Sequence, residues 1–404
     1  MMTVLSLGHL PSWAGGRQES GLANVIYQLA KHESEESDVS VILAATDVFV
    51  PILKDERLTI LGWTKSMLLG YCMIHPVRSI RNFRQLKILK RQYPVNEGKI
   101  GLFLKRLFFD RCIRKVHPEI VHLHGASAVW YLPLLPQKCK VALTFHGMTG
   151  MDSNIPQYKV LWKMEHDAYH STKVNVMVFI CTQLVEQFKN AYGHNTILNK
   201  VIFNAYDNKH FYLAKNEMAE QTDKKDSKNM VTRLCTVASM SDLKGQMRVL
   251  SGLRMILDQN KFQYRCIGAD RDGLADKMKV IADKYCIDFN YLGMMSPEKI
   301  RKYMAEVDYM IMPSSSEGFG LTYLEAIACG VPVILPKDIP IAQEKDIINE
   351  KNSILLEDCS ADSIAKVLSH IEDYHFSRRN VAETIAGLTW DRIAKQYIDV
   401  YRML

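Results

Sequence analysis

Apolar residues along this chain occur in short runs that are separated by longer stretches of helical periodicity. An uninterrupted apolar run is typical of a strand buried on both faces of a parallel sheet, and alternation of such strands with helices indicates βαβ units. In the first half of the chain the pattern predicts a helix at about Leu22–Lys31 and strands at Thr3–Gly8, Ser40–Ala44, Ile120–Leu123, Val141–Phe145 and Asn175–Ile180.

The pattern starts again after residues 216–230, a charged stretch that predicts a linker or exposed loop. The elements predicted after it are strands at Arg233–Ala238, Gln263–Gly268, Phe289–Leu292 and Val331–Leu335, and helices at Gln246–Leu257, Ala275–Lys284 and Pro297–Glu306. We therefore expect an α/β protein with two Rossmann-like domains facing each other across a cleft. The predicted domains are residues 1–205 and 206–388, with a C-terminal helix at 389–404 that completes the first.

The segment from Pro313 to Ala326 carries the strongest chemical signal. An apolar run ending at Met312 predicts a buried strand, and a Ser/Gly loop leads from it into a predicted helix at Leu321–Cys329. A strand, a glycine loop and a helix together direct free backbone N–H groups at an anion, usually a phosphate. Two carboxylates, Glu317 and Glu325, would repel that phosphate but suit the hydroxyl groups of a ribose and a sugar. The segment therefore predicts a nucleotide-sugar site.

The composition describes an ordinary globular protein of 404 residues, a length that favours two domains. No basic start precedes an apolar segment at the N-terminus, and no apolar stretch has the roughly 20 residues of a membrane span. The nine cysteines are scattered without a C-x-x-C pair, which favours reduced thiols and argues against a zinc site. We expect a cytoplasmic protein.

The net charge of +7 is concentrated in one region. Residues 76–115 contain twelve Lys or Arg side chains against Glu97 and Asp110. Helical spacing in this region places Ile80, Phe83, Leu86 and Leu89 on one side, flanked by basic residues. Such helices suit the anionic inner face of a membrane, so we expect peripheral docking through residues 76–116. The alternative is that the helices pack on the first domain with a solvated basic face. No nucleic-acid-binding motif accompanies the charge, and we expect no nucleic acid partner.

Several motifs together resemble a known family. Glu317 and Glu325 form a Glu-x7-Glu pair that closely resembles the signature of the retaining glycosyltransferases of family four, which have the GT-B fold. Supporting fragments occur in that family's order, so the resemblance spans nearly the whole chain. These fragments are Gly15-Gly16, Pro118–Gly125, Thr144–Gly147, Val201–Phe211, Ser241–Gly245 and a final stretch that begins at Leu388.

The resemblance implies a role for each matching residue. Glu325 would bind the ribose hydroxyls, Glu317 would bind the hydroxyls of the transferred sugar, and the second domain would hold the donor. The backbone of the glycine loop would hold the donor diphosphate, through Gly318, Phe319, Gly320 and Leu321. Read without the family, Glu317 would be a helix-capping acid and Glu325 a solvated helix residue.

Further site residues follow from the same resemblance. Lys244 would neutralise the leaving diphosphate, and His146 would lie at the donor sugar and the reaction centre. The family usually carries an Arg where this chain has Ser239, so neutralisation rests more on Lys244 or on an Arg from elsewhere. A loop of the first domain would contact the donor phosphate or the acceptor, through Gly15, Gly16 and Arg17. For these glycines, a plain tight turn is the competing interpretation.

Other candidates have structural interpretations. Asp270-Arg271-Asp272 is a D-x-D string of the kind that binds a metal in another glycosyltransferase fold; here we predict a surface loop. We expect His122 and His124 to be mostly structural, with His124 at the cleft rim as the alternative, and Asn204 to belong to a hinge. The resemblance implies neither a metal nor another cofactor.

The function expected from these observations is transfer of a sugar, with retention, from a nucleotide-diphosphate donor to an acceptor hydroxyl. The acceptor would be a glycan or a lipid-linked molecule in cell-surface glycan or glycolipid assembly. Two alternatives stay open at this point: a nucleotide-sugar epimerase, and a non-catalytic subunit that binds nucleotide sugars or a membrane surface.

Overall fold

The computed structural model describes residues 1–18, 20–148, 156–214 and 231–404, and its contacts divide the chain into two units. Unit 1 comprises residues 1–204 and 390–404, and unit 2 comprises residues 205–389. Each of these boundaries lies one residue from the predicted one. The predicted linker at 216–230 lies outside the described residues.

Unit 1 is built on an eight-stranded sheet in the order β3-β4-β2-β1-β5-β6-β7-β8. Its strands are β1 (Met2–Gly8), β2 (Val39–Ala45), β3 (Ile52–Asp55), β4 (Leu58–Leu61), β5 (Ile120–His124), β6 (Lys140–Phe145), β7 (Val176–Phe179) and β8 (Leu198–Val201). Its helices before the last are α1 (Gly21–Glu33), α2 (Lys65–Ile74), α3 (Pro76–Gln92), α4 (Lys99–Val116), α5 (Pro156–Tyr169) and α6 (Thr182–Tyr192).

The centre of this sheet is parallel and buried, as the uninterrupted apolar runs predict. Val4 in β1 pairs with Val41 on one side and with Ile120 on the other, and all three side chains are buried. One edge departs from the expected parallel pattern, because β3 and β4 form an antiparallel pair across a short turn. A two-residue connection cannot carry a parallel crossover, so the chain reverses direction there.

Unit 2 contains a six-stranded, fully parallel sheet in the order β11-β10-β9-β12-β13-β14. Its strands are β9 (Thr232–Val237), β10 (Phe262–Ile267), β11 (Asp288–Tyr291), β12 (Tyr309–Ile311), β13 (Val333–Pro336) and β14 (Ser353–Leu356). Its helices are α7 (Gln246–Leu253), α8 (Leu274–Lys284), α9 (Pro297–Met304), α10 (Leu321–Ala328), α11 (Pro340–Gln343), α12 (Ala361–Ser369) and α13 (Arg378–Glu383). The expected doubly wound arrangement is therefore confirmed in both units.

The last helix, α14 (Trp390–Arg402), belongs to unit 1 and packs against α1. The Tyr401 hydroxyl donates a hydrogen bond to Oε1 of Glu33 over 2.7 Å and lies 2.8 Å from Nδ1 of His122. Since that hydroxyl has a single hydrogen, Nδ1 of His122 acts as donor and its Nε2 accepts from the Thr144 hydroxyl, 2.7 Å away. One buried polar network thus joins the C-terminal helix to α1, β5 and β6.

The basic region buries only part of its predicted apolar side. Leu86 is buried, whereas Ile80 and Phe83 are exposed, and the polar Ser79 and Asn82 are buried as well. The buried Arg106 of α4 donates from Nε to Oδ1 of Asn82 over 2.8 Å. This contact gives the buried Asn82 a partner and removes Arg106 from the basic surface. Among the described residues, no helix is both long and apolar enough to cross a bilayer.

The stability of unit 1 should depend on pH through Glu33. Burial raises the pKa of Glu33 from its ordinary 4.5 to about 8. Between these values the folded chain holds a proton that the unfolded chain has released, so the free energy of unfolding falls as the pH rises through this range. Glu33→Gln keeps an acceptor for Tyr401 and removes the titration, and it should flatten the pH dependence of urea unfolding between pH 5 and 8.

The matched control is Glu35→Gln, two residues along the chain at an exposed position. It should keep the wild-type dependence on pH. A Glu33→Gln variant with an unchanged slope would contradict the assignment of the slope to Glu33.

Candidate functional site

Ligands of doubly wound sheets bind at the carboxyl ends of the strands, where the strand order reverses. In unit 2 this point lies between β9 and β12, which are neighbours in the sheet and far apart in sequence. The loop after β9 carries Lys244, and the loop after β12 carries Glu317. The two loops are bonded through their backbones, because the N–H of Ser315 donates to the carbonyl of Leu243 over 2.8 Å.

The structure brings the predicted phosphate-binding lysine and the predicted sugar-binding carboxylate into direct contact. Nζ of Lys244 lies 2.6 Å from Oε1 of Glu317. The Glu317 side chain is 8% exposed and that of Lys244 is 26% exposed, so the pair is shielded but open to solvent on the lysine side. Glu317 is therefore an ion-pair partner, and the alternative of a helix-capping acid does not apply, because the N-cap of α10 is Gly320 and no side chain caps the helix.

The N-terminus of α10 supplies donors for an anion. Gly320 adopts a left-handed conformation with φ of +88°, which lets the loop turn sharply into the helix. The first N–H groups of any helix have no partner within it, and here they follow the exposed Gly318. Phe319 is buried and the Tyr323 hydroxyl donates to the carbonyl of Met312, so the turn is anchored to β12.

Glu325 lies one turn into α10 in a desolvated environment. Burial is the larger cause and the negative charge of Asp207 the smaller cause of a pKa raised from 4.5 to about 7. The interpretation of Glu325 as a fully solvated helix residue is therefore wrong. Asp207 is itself held in place, since it accepts hydrogen bonds from the backbone N–H of Lys209 and from Nδ1 of His210.

Arg248 is a site residue that no sequence motif singles out. It lies in α7, and its guanidinium donates to the carbonyl of Asp242 over 2.7 Å and to the carbonyl of Pro313 over 2.8 Å. It therefore ties the loop of Lys244 to the loop of Glu317. Because both of its acceptors are backbone carbonyls 71 residues apart, no spacing rule could have found it.

Ser239, in the position where the resembled family has an Arg, is exposed at the carboxyl end of β9. Its carbonyl accepts a hydrogen bond from Nε2 of Gln246 over 3.0 Å. The position thus lies at the same sheet edge as Lys244. The other cation near these two loops is Arg248, and its guanidinium already donates hydrogen bonds to two backbone carbonyl groups.

In unit 1, His146 follows β6 and its Nε2 lies 3.0 Å from Nδ1 of His124. Nε2 of His124 lies 3.3 Å from the Ser6 hydroxyl, so a chain of three polar side chains crosses β1, β5 and the end of β6. Burial lowers the pKa of His146 to about 3, which keeps the ring neutral at physiological pH. Its Nδ1 is buried and has no hydrogen-bond partner among the described residues, which leaves that atom available to a ligand.

The predicted structural role of His122 and His124 agrees with their burial. His124 is buried in the sheet, so it does not form an exposed rim. Its contact with His146 gives it a positioning function as well, because the bond fixes the orientation of the His146 ring.

The glycines of the loop after β1 are required by the loop itself. Gly15 has a φ of +91°, and a Cβ on Gly16 would lie 2.0 Å from the carbonyl oxygen of Leu10. The chain's own backbone therefore excludes a side chain at Gly16, as in a tight turn. Arg17 follows at the surface, and its backbone N–H donates to Oδ2 of Asp47 over 3.1 Å.

The D-x-D string has a capping function. Both carboxylate oxygens of Asp270 accept hydrogen bonds from the N–H groups of Leu274 and Ala275, at the start of α8. Hydrogen bonds from this helix N-terminus lower the pKa of Asp270 despite partial desolvation. Asp270 therefore stabilises the start of a helix, which explains its position after β10.

Comparisons with known proteins agree with this geometry. Residues 216–385, within unit 2, match the family model described as glycosyl transferases group 1. A GDP-mannose-dependent monoacylated alpha-(1-6)-phosphatidylinositol monomannoside mannosyltransferase of Corynebacterium glutamicum is 23% identical over 63% of this chain and 69% of its own length. A GDP-mannose:cellobiosyl-diphosphopolyprenol alpha-mannosyltransferase of Xanthomonas oryzae is 27% identical over 39% of this chain and 43% of its own length.

Solved structures match over the whole chain. Sucrose-phosphate synthase from Thermosynechococcus elongatus has a TM-score of 0.73 at 15% identity, with 100% of this chain and 99% of that chain covered. The Anabaena protein HepE in complex with UDP and glucose has a TM-score of 0.68 at 13% identity, with both chains fully covered. The fold is therefore the GT-B fold. Both named relatives are GDP-mannose-dependent transferases, and neither is an epimerase.

Gly245 should be essential to the position of Lys244. Its φ is +81°, and a Cβ there would lie 2.5 Å from the carbonyl oxygen of Pro313. Gly245→Ala should therefore cost the free energy of a left-handed alanine, about 1–2 kcal/mol, plus the displacement of the loop after β12. Urea unfolding should report a loss of roughly 3 kcal/mol or more.

Gly273→Ala is the matched control, because Gly273 begins α8 with a φ of +64° and has open space around its Cβ direction. It should lose only the conformational part, about 1 kcal/mol. Equal losses for the two variants would show that the contact with Pro313 does not matter.

Proposed function

We propose that this chain is a retaining, metal-independent glycosyltransferase of family four that transfers a sugar from a nucleotide-diphosphate donor to an acceptor hydroxyl. The observation that carries the proposal is the Lys244–Glu317 pair at the strand-order reversal of unit 2, beside the N-terminus of α10. A cation, free N–H groups and a carboxylate at one sheet edge match a diphosphate attached to a sugar.

Donor binding would rearrange this pair. The diphosphate would take Lys244 and the N–H groups at Phe319, Gly320 and Leu321, and the sugar hydroxyls would take the released Glu317. Glu325 would accept hydrogen bonds from the ribose hydroxyls. Each charged group would thus exchange one partner for another, so no buried charge would be left without compensation.

In the reaction we propose, the bond from the anomeric carbon to the diphosphate oxygen breaks, and a bond to the acceptor oxygen forms on the same face of the sugar. The proton of the acceptor hydroxyl passes to an oxygen of the leaving diphosphate. Lys244 would stabilise the charge that builds on that diphosphate, which is the group that departs. His146, neutral and with Nδ1 available, would hold the sugar or the acceptor by a hydrogen bond without adding charge.

GDP-mannose is the first donor to test, because two of the relatives are GDP-mannose-dependent. The acceptors in their names are a phosphatidylinositol mannoside and a sugar on diphosphopolyprenol, which supports a lipid-linked acceptor and a role in cell-surface glycan or glycolipid assembly. Retention can be read from the anomeric configuration of the product by NMR, and metal independence from undiminished turnover in EDTA.

Lys244→Ala should lower turnover about 100-fold with any donor that the wild type uses, because it removes the cation at the leaving group. Donor turnover should be measured across UDP-, GDP- and ADP-sugars. Lys337→Ala is the control, since Lys337 forms an exposed ion pair with Glu357 on the same unit and should leave turnover unchanged. A wild type that neither binds nor turns over any donor would refute the proposal, as would full turnover by Lys244→Ala or Glu325→Ala.

We also propose that unit 1 docks on an anionic membrane surface through residues 76–116. Val77 is 81% exposed and Ile80 is 54% exposed, beside the exposed Arg81 and Arg84 of the same helix. Exposed apolar side chains next to cations fit an interface with lipid headgroups better than a solvated face. The exposure of Val77 and Ile80 on α3 supports this proposal over the packed alternative.

The double variant Arg81→Glu and Arg84→Glu should reduce sedimentation with vesicles of phosphatidylserine and phosphatidylcholine at physiological salt. Loss of two basic residues weakens such binding by about 2 kcal/mol, or about 30-fold in partition. Lys277→Glu with Lys366→Glu, both exposed on unit 2, makes the same charge change and should have little effect. Absence of wild-type sedimentation would remove the membrane proposal and leave the transferase proposal intact.

A further inference from the structure

Two large aromatic side chains are exposed beside the loop that follows β1. Trp13 is 63% exposed and Phe49 is 42% exposed. Each ring is nevertheless held in place by a buried aromatic neighbour: Trp13 meets Tyr27 edge-on at 5.1 Å, and Phe49 meets Trp63 at 4.9 Å. Rings fixed at their base and open to solvent on the other side offer an apolar surface at a low entropic cost.

The loop that carries Trp13 is closed by its own hydrogen bonds. The N–H of Ser12 donates to the carbonyl of Gln18 over 2.9 Å, and the N–H of Gly16 donates to the carbonyl of Pro11 over 3.0 Å. Asp47, after β2, accepts hydrogen bonds from the N–H groups of Leu10 and Arg17 and so fastens the loop to the next strand. These backbone contacts fix the positions from which the side chains of Trp13 and Arg17 extend.

Arg17 gives this surface a positive charge. Its guanidinium lies 4.4 Å from the centroid of the Phe49 ring, an attractive cation–π arrangement. Among the described residues no carboxylate lies within ion-pair distance of that guanidinium. An exposed guanidinium held against an aromatic face keeps N–H donors for a planar or tetrahedral anion such as phosphate.

The position of these three residues is that of a ligand site. Trp13 and Arg17 follow β1, and Phe49 follows β2, its parallel neighbour. β1 is the strand at which the order of the unit 1 sheet reverses, with β2 on one side and β5 on the other. The aromatic residues and the arginine therefore lie at the carboxyl edge, beside the reversal point.

Resting on the proposed function, we infer that Trp13, Arg17 and Phe49 form the acceptor-recognition surface, and that the acceptor is a sugar joined to a phosphate or diphosphate. Arg17 binds the phosphate, and the aromatic rings receive the C–H face of the sugar or the first part of a lipid. A donor diphosphate alone would leave the two rings unused, and its phosphate groups match the cation and N–H groups of unit 2.

Direct binding tests the surface without requiring transfer. Titration calorimetry with mannose 1-phosphate, glucose 1-phosphate and the corresponding free sugars should show binding of the phosphorylated sugars at least tenfold tighter. Arg17→Ala should remove that difference, and Trp13→Ala or Phe49→Ala should weaken binding of the sugar phosphate about tenfold. Tyr374→Ala, which removes an exposed aromatic ring of unit 2, is the control and should have no effect.

Transfer assays with the full chain distinguish the sources of the phosphate. A soluble sugar phosphate and a short-chain polyprenyl diphosphate sugar are compared as acceptors with the donor that the wild type uses. In either case the three variants should raise the acceptor KM, and the dissociation constant of the donor should stay within twofold of wild type. Weaker donor binding in Arg17→Ala would assign the loop to the donor and overturn the inference.

Equal use of phosphorylated and neutral acceptors, or unchanged binding of sugar phosphates in all three variants, would also overturn it. Failure of the proposed function gives a different result. In that case no donor is bound or turned over, while the binding of sugar phosphates and its loss in Arg17→Ala still support the surface.

Discussion

The hydroxyl of Tyr401 is the contact on which the architecture of unit 1 depends. It joins Glu33 in α1 to His122 in β5, and these partners are 368 and 279 residues away in sequence. Because the network is buried, its polar groups depend on one another. Removal of the last helix would leave Oε1 of Glu33 and Nδ1 of His122 without another hydrogen-bond partner among the described residues. The same network reaches Thr144, two residues before His146. The C-terminal helix therefore helps to hold β6, the strand that His146 follows.

Unit 2 positions its site by a different means. Lys244 and Glu317 lie on loops. Two kinds of contact hold these loops: a close approach of two backbones that requires a glycine, and an arginine side chain that binds backbone carbonyl groups. Gly245 permits the close approach to Pro313, and Arg248 binds carbonyl groups from both loops. The proposed function gives this division a physical reason: Lys244 and Glu317 would change partners when a donor binds, and a fixed backbone would let the side chains move without cost to the fold.

The sequence was sufficient for the parts of the fold that follow from continuous apolar runs. The strands at the sheet centres, the glycine loop and the doubly wound order could be predicted, since burial on both faces leaves a strong local pattern. The strands β3, β4, β8 and β14 were missed. Each has only four residues, and exposed positions such as Leu198 and Leu355 weaken the apolar pattern further. In the candidate site, residue identities could be predicted but their partners could not. The Lys244–Glu317 contact spans 73 residues, and the Arg106–Asn82 hydrogen bond joins two helices at positions that periodicity does not distinguish.

The two sheet edges differ in how their charge is compensated before any ligand binds. In unit 2 the cation of Lys244 already has a carboxylate partner, so the proposed binding of a diphosphate would replace one anion by another. In unit 1 the histidines next to β5 and β6 are neutral, since burial holds the pKa of His146 at about 3 and that of His124 well below its usual value. They add hydrogen bonds and no charge. Attraction of an anion to the loop after β1 would therefore rest on Arg17, whose guanidinium lies over the Phe49 ring and has no ion-pair partner among the described carboxylates. The cation on the loop after β1 and the neutral histidines of β5 and β6 therefore differ in what they can offer a ligand: Arg17 offers charge to an anion, and His146 offers a hydrogen bond without charge.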